Sequence, residues 1–161
     1  DNAQRLGVVP DKIVIAGASA GGHLAALAGV SSGVSALEDT AMGNANVSSN
    51  VAAIISLYGA SNLESILRQS TPHGLSVREP ALKLLLGDLP DRQPALARLA
   101  SPVTHVDPRD PPLLLVHGDQ DPQMPINQSH ELHGAYGNAG ILSIFHVVHR
   151  GKHGGAGFYN R

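Results

Sequence analysis

The chain has 161 residues, is 42% hydrophobic and 15% charged, and carries a formal net charge of −2. That fits one globular domain, and so balanced a charge gives no basis for nucleic acid or an anionic membrane surface as partner. With no cysteine, a disulfide framework, a thiolate nucleophile and a cysteine-ligated zinc are excluded, and 3% aromatic content is low for a sugar- or base-stacking surface.

Residues 2–7 read as the last turns of a helix stopped by Gly7 and Pro10, and nothing ahead of them resembles a start methionine or a signal peptide. A chain opening inside a helix is expected to be a piece of something longer. Residues 12–16 then form a strand that runs into Gly17-Ala18-Ser19-Ala20-Gly21, followed by a helix over 19–30. This is the strand, sharp turn and helix in which a serine stands at the tip as a nucleophile. Glycine is expected to be required at both Gly17 and Gly21, where strand and helix pass closest. A phosphate-binding loop fits less well, because His23 stands where lysine is needed and Leu24 where Ser or Thr is needed. The dinucleotide pattern fails too, since Ala18-Ser19 interrupts its glycine register.

Residues 31–50 are rich in Ser, Gly, Asn and Ala and read as loop. Residues 51–57 form a second strand, apolar except for Ser56, as suits a parallel sheet covered on both sides. Short helices are expected at 63–69, 80–86 and 94–99, with a break at Ser70-Thr71-Pro72-His73-Gly74. This excursion is too long for a simple crossover and has the length of a cap over an active face. A strand at 113–116, a helix from 126 to 136 and a strand at 141–148 follow, and Gly154 and Gly155 lead into a last helical turn. The order implies an α/β fold with an open parallel sheet. No apolar run approaches the ~20 residues of a membrane span.

In such sheets chemistry collects beyond the C-terminal strand ends. The strand at 113–116 is followed by His117-Gly118-Asp119-Gln120-Asp121, and the strand at 141–148 by His149-Arg150-Gly151-Lys152-His153-Gly154. Serine, acid and histidine thus occur in the chain order of the α/β hydrolases. Asp119 and Asp121 are both open as the acid, although Asp119 suits an Asx turn with its own backbone. Asp107 and Asp110 precede the strand, at the wrong end of the sheet. His130-Glu131-Leu132-His133 is one residue short of the zinc-protease helix, and His146 and His149 sit on opposite faces of a strand, so no metal site is expected. His23 reads as packing near the serine, His117 as a brace for the acid loop, and His73 and His105 as cap surface.

Residues 10–26 and 110–157, with Tyr58-Gly59, Ser101-Pro102 and Pro111-Pro112-Leu113, resemble the α/β-hydrolase carboxylesterases. The likeness is to the feruloyl-esterase-like branch related to hormone-sensitive lipase and prolyl oligopeptidase. The resemblance implies a single α/β-hydrolase domain fragment over 1–161, with a cap-like insertion over about 62–106. It places the nucleophile on Ser19, the acid on Asp121 through His-Gly-x-x-Asp, and the base on His153 through Gly-x-His-Gly. Met124 stands where that motif usually carries Val. The N–H of Ala20 would donate to the oxyanion. Tyr58, Ser61, Asn62 and residues 84–86 are candidates for the substrate pocket. The expected activity is hydrolysis of small acyl esters or acylated plant sugars with no cofactor. A prolyl-oligopeptidase-type peptidase is the alternative. The family's His-Gly-Gly oxyanion motif and first strands are not found ahead of Ser19, so a catalytically incomplete hydrolase portion is a further expectation. The sequence assigns neither a compartment nor an oligomeric state.

Overall fold

Four apolar segments pair as parallel strands in the computed structural model, which describes residues 2–38, 41, 43 and 47–159. They are β1 (Val14–Ala18), β2 (Ala53–Leu57), β3 (Leu113–Gly118) and β4 (Ser143–Val148), in the spatial order β1-β2-β3-β4. Val14 pairs with Ala53, Ile54 with Leu113 and Leu113 with Ser143, so all four strands end at one edge of the sheet. The helices are α1 (Ala3–Leu6), α2 (Ala20–Val30), α3 (Ile66–Gln69), α4 (Pro72–Leu86), α5 (Pro94–Leu99) and α6 (Asn127–Asn138). Parts of the predicted loop at 39–40, 42 and 44–46 lie outside the described residues.

Because the strands add in sequence order, right-handed crossovers deliver their helices to one face. Ala26 and Val30 of α2, Ile54, Leu113, Leu115, and Leu132 and Tyr136 of α6 form one buried cluster there. Ile55, Leu57, Leu114 and Val116, on the opposite face, are only half-buried among the described residues. A second cluster, with Leu63, Ile66, Leu82, Leu86, Ala97 and Met124 among its members, ties the helical excursion to the strand ends.

Two boundary expectations change for physical reasons. Lys12 closes a 3₁₀ turn, Pro10–Lys12, so β1 starts later and runs further than expected. The expected break at 70–74 is instead the start of α4, a 15-residue helix. Thr71 caps it by accepting a hydrogen bond from the Gly74 N–H at 3.0 Å. Pro72 occupies the first turn, where its missing N–H costs nothing. Pro80 then lies inside the helix rather than at its beginning.

Candidate active site

Ser19 sits between the last residue of β1 and the first of α2, with φ 55° and ψ −119°. Positive φ is unusual for a residue with a side chain and is held here by its surroundings. The Ser19 N–H donates to the Leu57 carbonyl at 2.9 Å, and the Ser19 carbonyl accepts from the His23 N–H at 3.0 Å. A Cβ on Gly17 would lie 2.1 Å from the Gly21 carbonyl oxygen, so strand and helix close to backbone contact at that point. Gly22 also lacks room, since a Cβ there would meet the Leu57 carbonyl oxygen at 2.8 Å. Gly21 itself has open space around its missing side chain, which corrects the expectation that glycine is required there. Its carbonyl does the crowding, while a Cβ added to Gly21 itself would meet nothing within 4 Å. The helix starts at Ala20, so the N–H groups of its first turn have no partner within the helix and gather behind Ser19.

His153 and Asp121 arrive from the ends of β4 and β3. His153 Nε2 lies 2.8 Å from Ser19 Oγ, and His153 Nδ1 lies 2.7 Å from Asp121 Oδ2. The Asp121 side chain is 1% exposed and that of His153 13%. The other carboxylate oxygen, Oδ1, accepts from the backbone N–H groups of Gln123 at 2.8 Å and Met124 at 2.9 Å. Burial alone would raise the pKa of Asp121. The bonds from His117, His153, Met124 and Gln123 more than offset it and hold the carboxyl well below the usual carboxylate range. His117 is fully buried beneath this loop, with Nδ1 2.7 Å from Ser129 Oγ and Nε2 3.0 Å from the Met124 carbonyl. The two loops are also tied to each other. The Gln120 N–H donates to the Gly151 carbonyl at 2.9 Å, and the Arg150 N–H donates to Asp119 Oδ1 at 2.6 Å.

Beside Ser19 lies a hollow of about 230 Å³, bounded by α2 on one side and by α3 and α4 on the other. Leu24, Leu63, Ile66, Leu82, Leu85 and Met124 give it an apolar wall.

The BD-FAE family matches residues 1–136 of this sequence. The chain belongs to that family. Esterase LipC of Mycobacterium tuberculosis (strain ATCC 25618 / H37Rv) is 31% identical over 128 residues, which is 80% of this chain and 30% of LipC. Esterase LipQ of the same organism is 30% identical over 144 residues, 89% of this chain and 32% of LipQ. The chain therefore spans about a third of the length of these curated relatives. Among solved structures, a truncated form of carbohydrate esterase from gut microbiota superposes with a TM-score of 0.83 at 32% identity, covering 99% of this chain and 58% of that one. The fold is that of the α/β-hydrolase esterases.

In this BD-FAE chain the other candidate residues divide between the hollow, the packed interior and the loops around it. Ser61 and Asn62 do not line the hollow: both backbone N–H groups donate to Gln128 Oε1, at 2.9 and 2.8 Å, and Ser61 Oγ bonds to the Gln128 carbonyl. Tyr58 packs its ring edge-on to that of His153, 4.8 Å between centroids, and its hydroxyl lies 3.0 Å from that of Tyr159. Burial, then the Tyr159 hydroxyl and the Asp121 charge, push its pKa up to about 12. Of residues 84–86, Leu85 lines the hollow, Leu84 is exposed and Leu86 is in the core. His23 is buried, with Nε2 donating to the Ala100 carbonyl at 2.7 Å. Asp119 bonds across to Arg150 and His149 rather than to its own turn. His105 is half-buried rather than free surface, with Nε2 bonded to the Leu99 carbonyl at 2.7 Å. Glu131 accepts from Ser65 and Gln69 of the excursion, whereas His133 bonds to Ser143 on β4.

Two residues escape the sequence reading. Gln128 is fully buried, its side chain joining residues 61–62 to Ser65 and Gln69. Arg78 lines the hollow from α4. Its signal was available in the spacing of Arg78, Ala81, Leu82 and Leu85, one helix face, once the helix is taken to begin before residue 78.

Proposed function

We propose that this chain carries the reacting groups of a serine hydrolase of carboxylic esters. The single observation behind this reading is the unbroken line Ser19 Oγ, His153 Nε2, His153 Nδ1, Asp121 Oδ2, drawn from three strand ends far apart in sequence. Ser19 Oγ attacks the ester carbonyl carbon as its proton passes to His153 Nε2. Asp121 holds the imidazole with its Nδ1–H inward and stabilises the imidazolium that results. The Ala20 N–H, first in α2, donates to the carbonyl oxygen as it becomes an oxyanion. His153 returns the proton to the departing alcohol, leaving an acyl-serine. Water, giving its proton to His153, then releases the carboxylic acid and restores Ser19. Esters of small acids and acylated sugars are the proposed substrates. An esterase is favoured over a peptidase because the curated relatives reported above bear esterase names.

The test is hydrolysis of p-nitrophenyl acetate by the protein at its full natural length, with Ser19→Ala as control. Removing the nucleophile should lower kcat by roughly 10⁴-fold or more. Hydrolysis unaffected by Ser19→Ala would overturn the assignment.

A further inference from the structure

The hollow beside Ser19 is apolar with one exception. Four α4 residues reach it, Arg78, Ala81, Leu82 and Leu85, on the single face that a helix presents at those spacings. Arg78 is the one residue of fixed charge in its lining. Its Nε is shielded from solvent and has no hydrogen-bond partner among the described residues. The carboxylate whose charge it feels is Asp121, and that group is already taken up by His153 and two backbone N–H groups. The remaining polar groups offer no acceptor of comparable strength, since His23 is turned to the Ala100 carbonyl.

A guanidinium left half-buried against leucines without an anion costs stability. Such groups are retained where a ligand completes them, and the planar N–H fork of arginine matches a carboxylate in two-point geometry. We infer that Arg78 recognises a carboxylate on the ester bound at Ser19, so that the preferred substrates are anionic esters. This inference rests on the ester-hydrolase reading for its setting. The carboxylate belongs either to the acyl half, as in a hemiester of a dicarboxylic acid, or to the alcohol half, as in an acylated hydroxy acid. A volume of about 230 Å³ admits a short chain carrying such a group.

The experiment uses near-isosteric pairs with the protein at full natural length. For the acyl half, kcat/KM is measured for mono-p-nitrophenyl succinate and p-nitrophenyl butyrate. For the alcohol half, acetoxyacetate is compared with acetoxyacetamide. Spontaneous hydrolysis is subtracted with the Ser19→Ala protein. One anionic member should be preferred over its neutral partner, and the pair in which this happens locates the carboxylate. In Arg78→Gln that preference should fall roughly tenfold to a hundredfold, the usual worth of a charged hydrogen bond, chiefly through KM. Arg78→Lys should recover part of it. If neutral esters are hydrolysed as well as anionic ones, or Arg78→Gln leaves the ratio unchanged, the inference is wrong while the esterase reading stands. If no ester is hydrolysed, calorimetric titration of the Ser19→Ala protein with monomethyl succinate, an anion, and methyl butyrate, its neutral counterpart, decides. Monomethyl succinate binding lost in Arg78→Gln supports the site, and equal weak binding of both esters overturns it.

Discussion

The strand ends and the helical excursion facing them are held by different forces. At the strand ends, Asp121 accepts from Gln123, Met124 and His153, while the loops after β3 and β4 exchange backbone bonds. Across the hollow, α4 is kept in place by buried side chains such as Leu82 and Leu86 and by Thr71, whose hydroxyl donates to the Pro122 carbonyl at 2.8 Å. The difference matters for function. Directional bonds fix reacting atoms to tenths of an ångström, whereas an apolar wall sets the shape of a pocket through the volumes of the side chains packed in it.

The largest effect should come from breaking the polar side alone. Asp121→Asn keeps an oxygen for the Gln123 and Met124 N–H groups but reverses the demand on His153, favouring the wrong tautomer. We expect kcat for a p-nitrophenyl ester to fall by roughly 10⁴-fold, with the urea midpoint lowered but the protein still folded at neutral pH. Loss of folding in parallel with loss of activity would mean that the carboxylate is mainly structural.

The elbow permits a sharper contrast between neighbours. Gly17→Ala drives a methyl group into the Gly21 carbonyl and should destabilise by about 3 kcal/mol or more. Gly21→Ala meets nothing and removes unfolded-state freedom at a helical position, so it should stabilise by about 0.5–1 kcal/mol. Urea denaturation of both variants tests the pair, and equal losses would refute the assignment of the close contact.

On the apolar side, Leu82→Ala removes a side chain 5% exposed and should cost about 2–5 kcal/mol. Two positions on, Leu84 is 90% exposed, and Leu84→Ala should stay within about 0.5 kcal/mol in the same denaturation series. Similar losses at both positions would mean that α4 is not packed by the face that carries Arg78.

The same division explains what could be read from the residues. Strand ends announce themselves, because apolar runs stop at Gly17, Tyr58, His117 and His149 and chemistry-bearing residues follow directly. Ser19, Asp121 and His153 do meet at hydrogen-bond distance. The beginning of α4 was hidden, since Thr71-Pro72-His73-Gly74 has the composition of a break and acts as a cap only because Pro72 falls in the first turn. That error carried Arg78 out of the helix and out of view. Which glycine is crowded was equally hidden, for it depends on where the Gly21 carbonyl and the Leu57 carbonyl come to lie in space. Ser61 and Asn62 looked like pocket residues from their place after β2, yet a partner on α6, Gln128, draws them inward.

The smallest predicted effect lies where the two regions join. His23 belongs to α2, and its Nε2 reaches the Ala100 carbonyl just after α5, so it bridges the strand-end side to the excursion. Burial lowers its pKa below the ordinary 6.5, an effect only partly offset by the Ala100 bond. In the unfolded chain the imidazole takes up its proton as pH falls through about 6.5, while in the folded protein it stays neutral to lower pH. Protons therefore bind the unfolded state first. The contribution of His23 to stability is fully present above pH 6.5 and is lost as pH falls towards the folded pKa, with a slope of at most about 1.4 kcal/mol per pH unit. Replacing it by glutamine, which retains an N–H donor for Ala100, should leave stability near pH 7.5 close to that of the parent and flatten the decline towards pH 5.5. Urea midpoints at the two pH values measure this directly. A parent and a His23→Gln variant with parallel declines would place the pH sensitivity elsewhere and leave the bridge as a hydrogen bond without a titration.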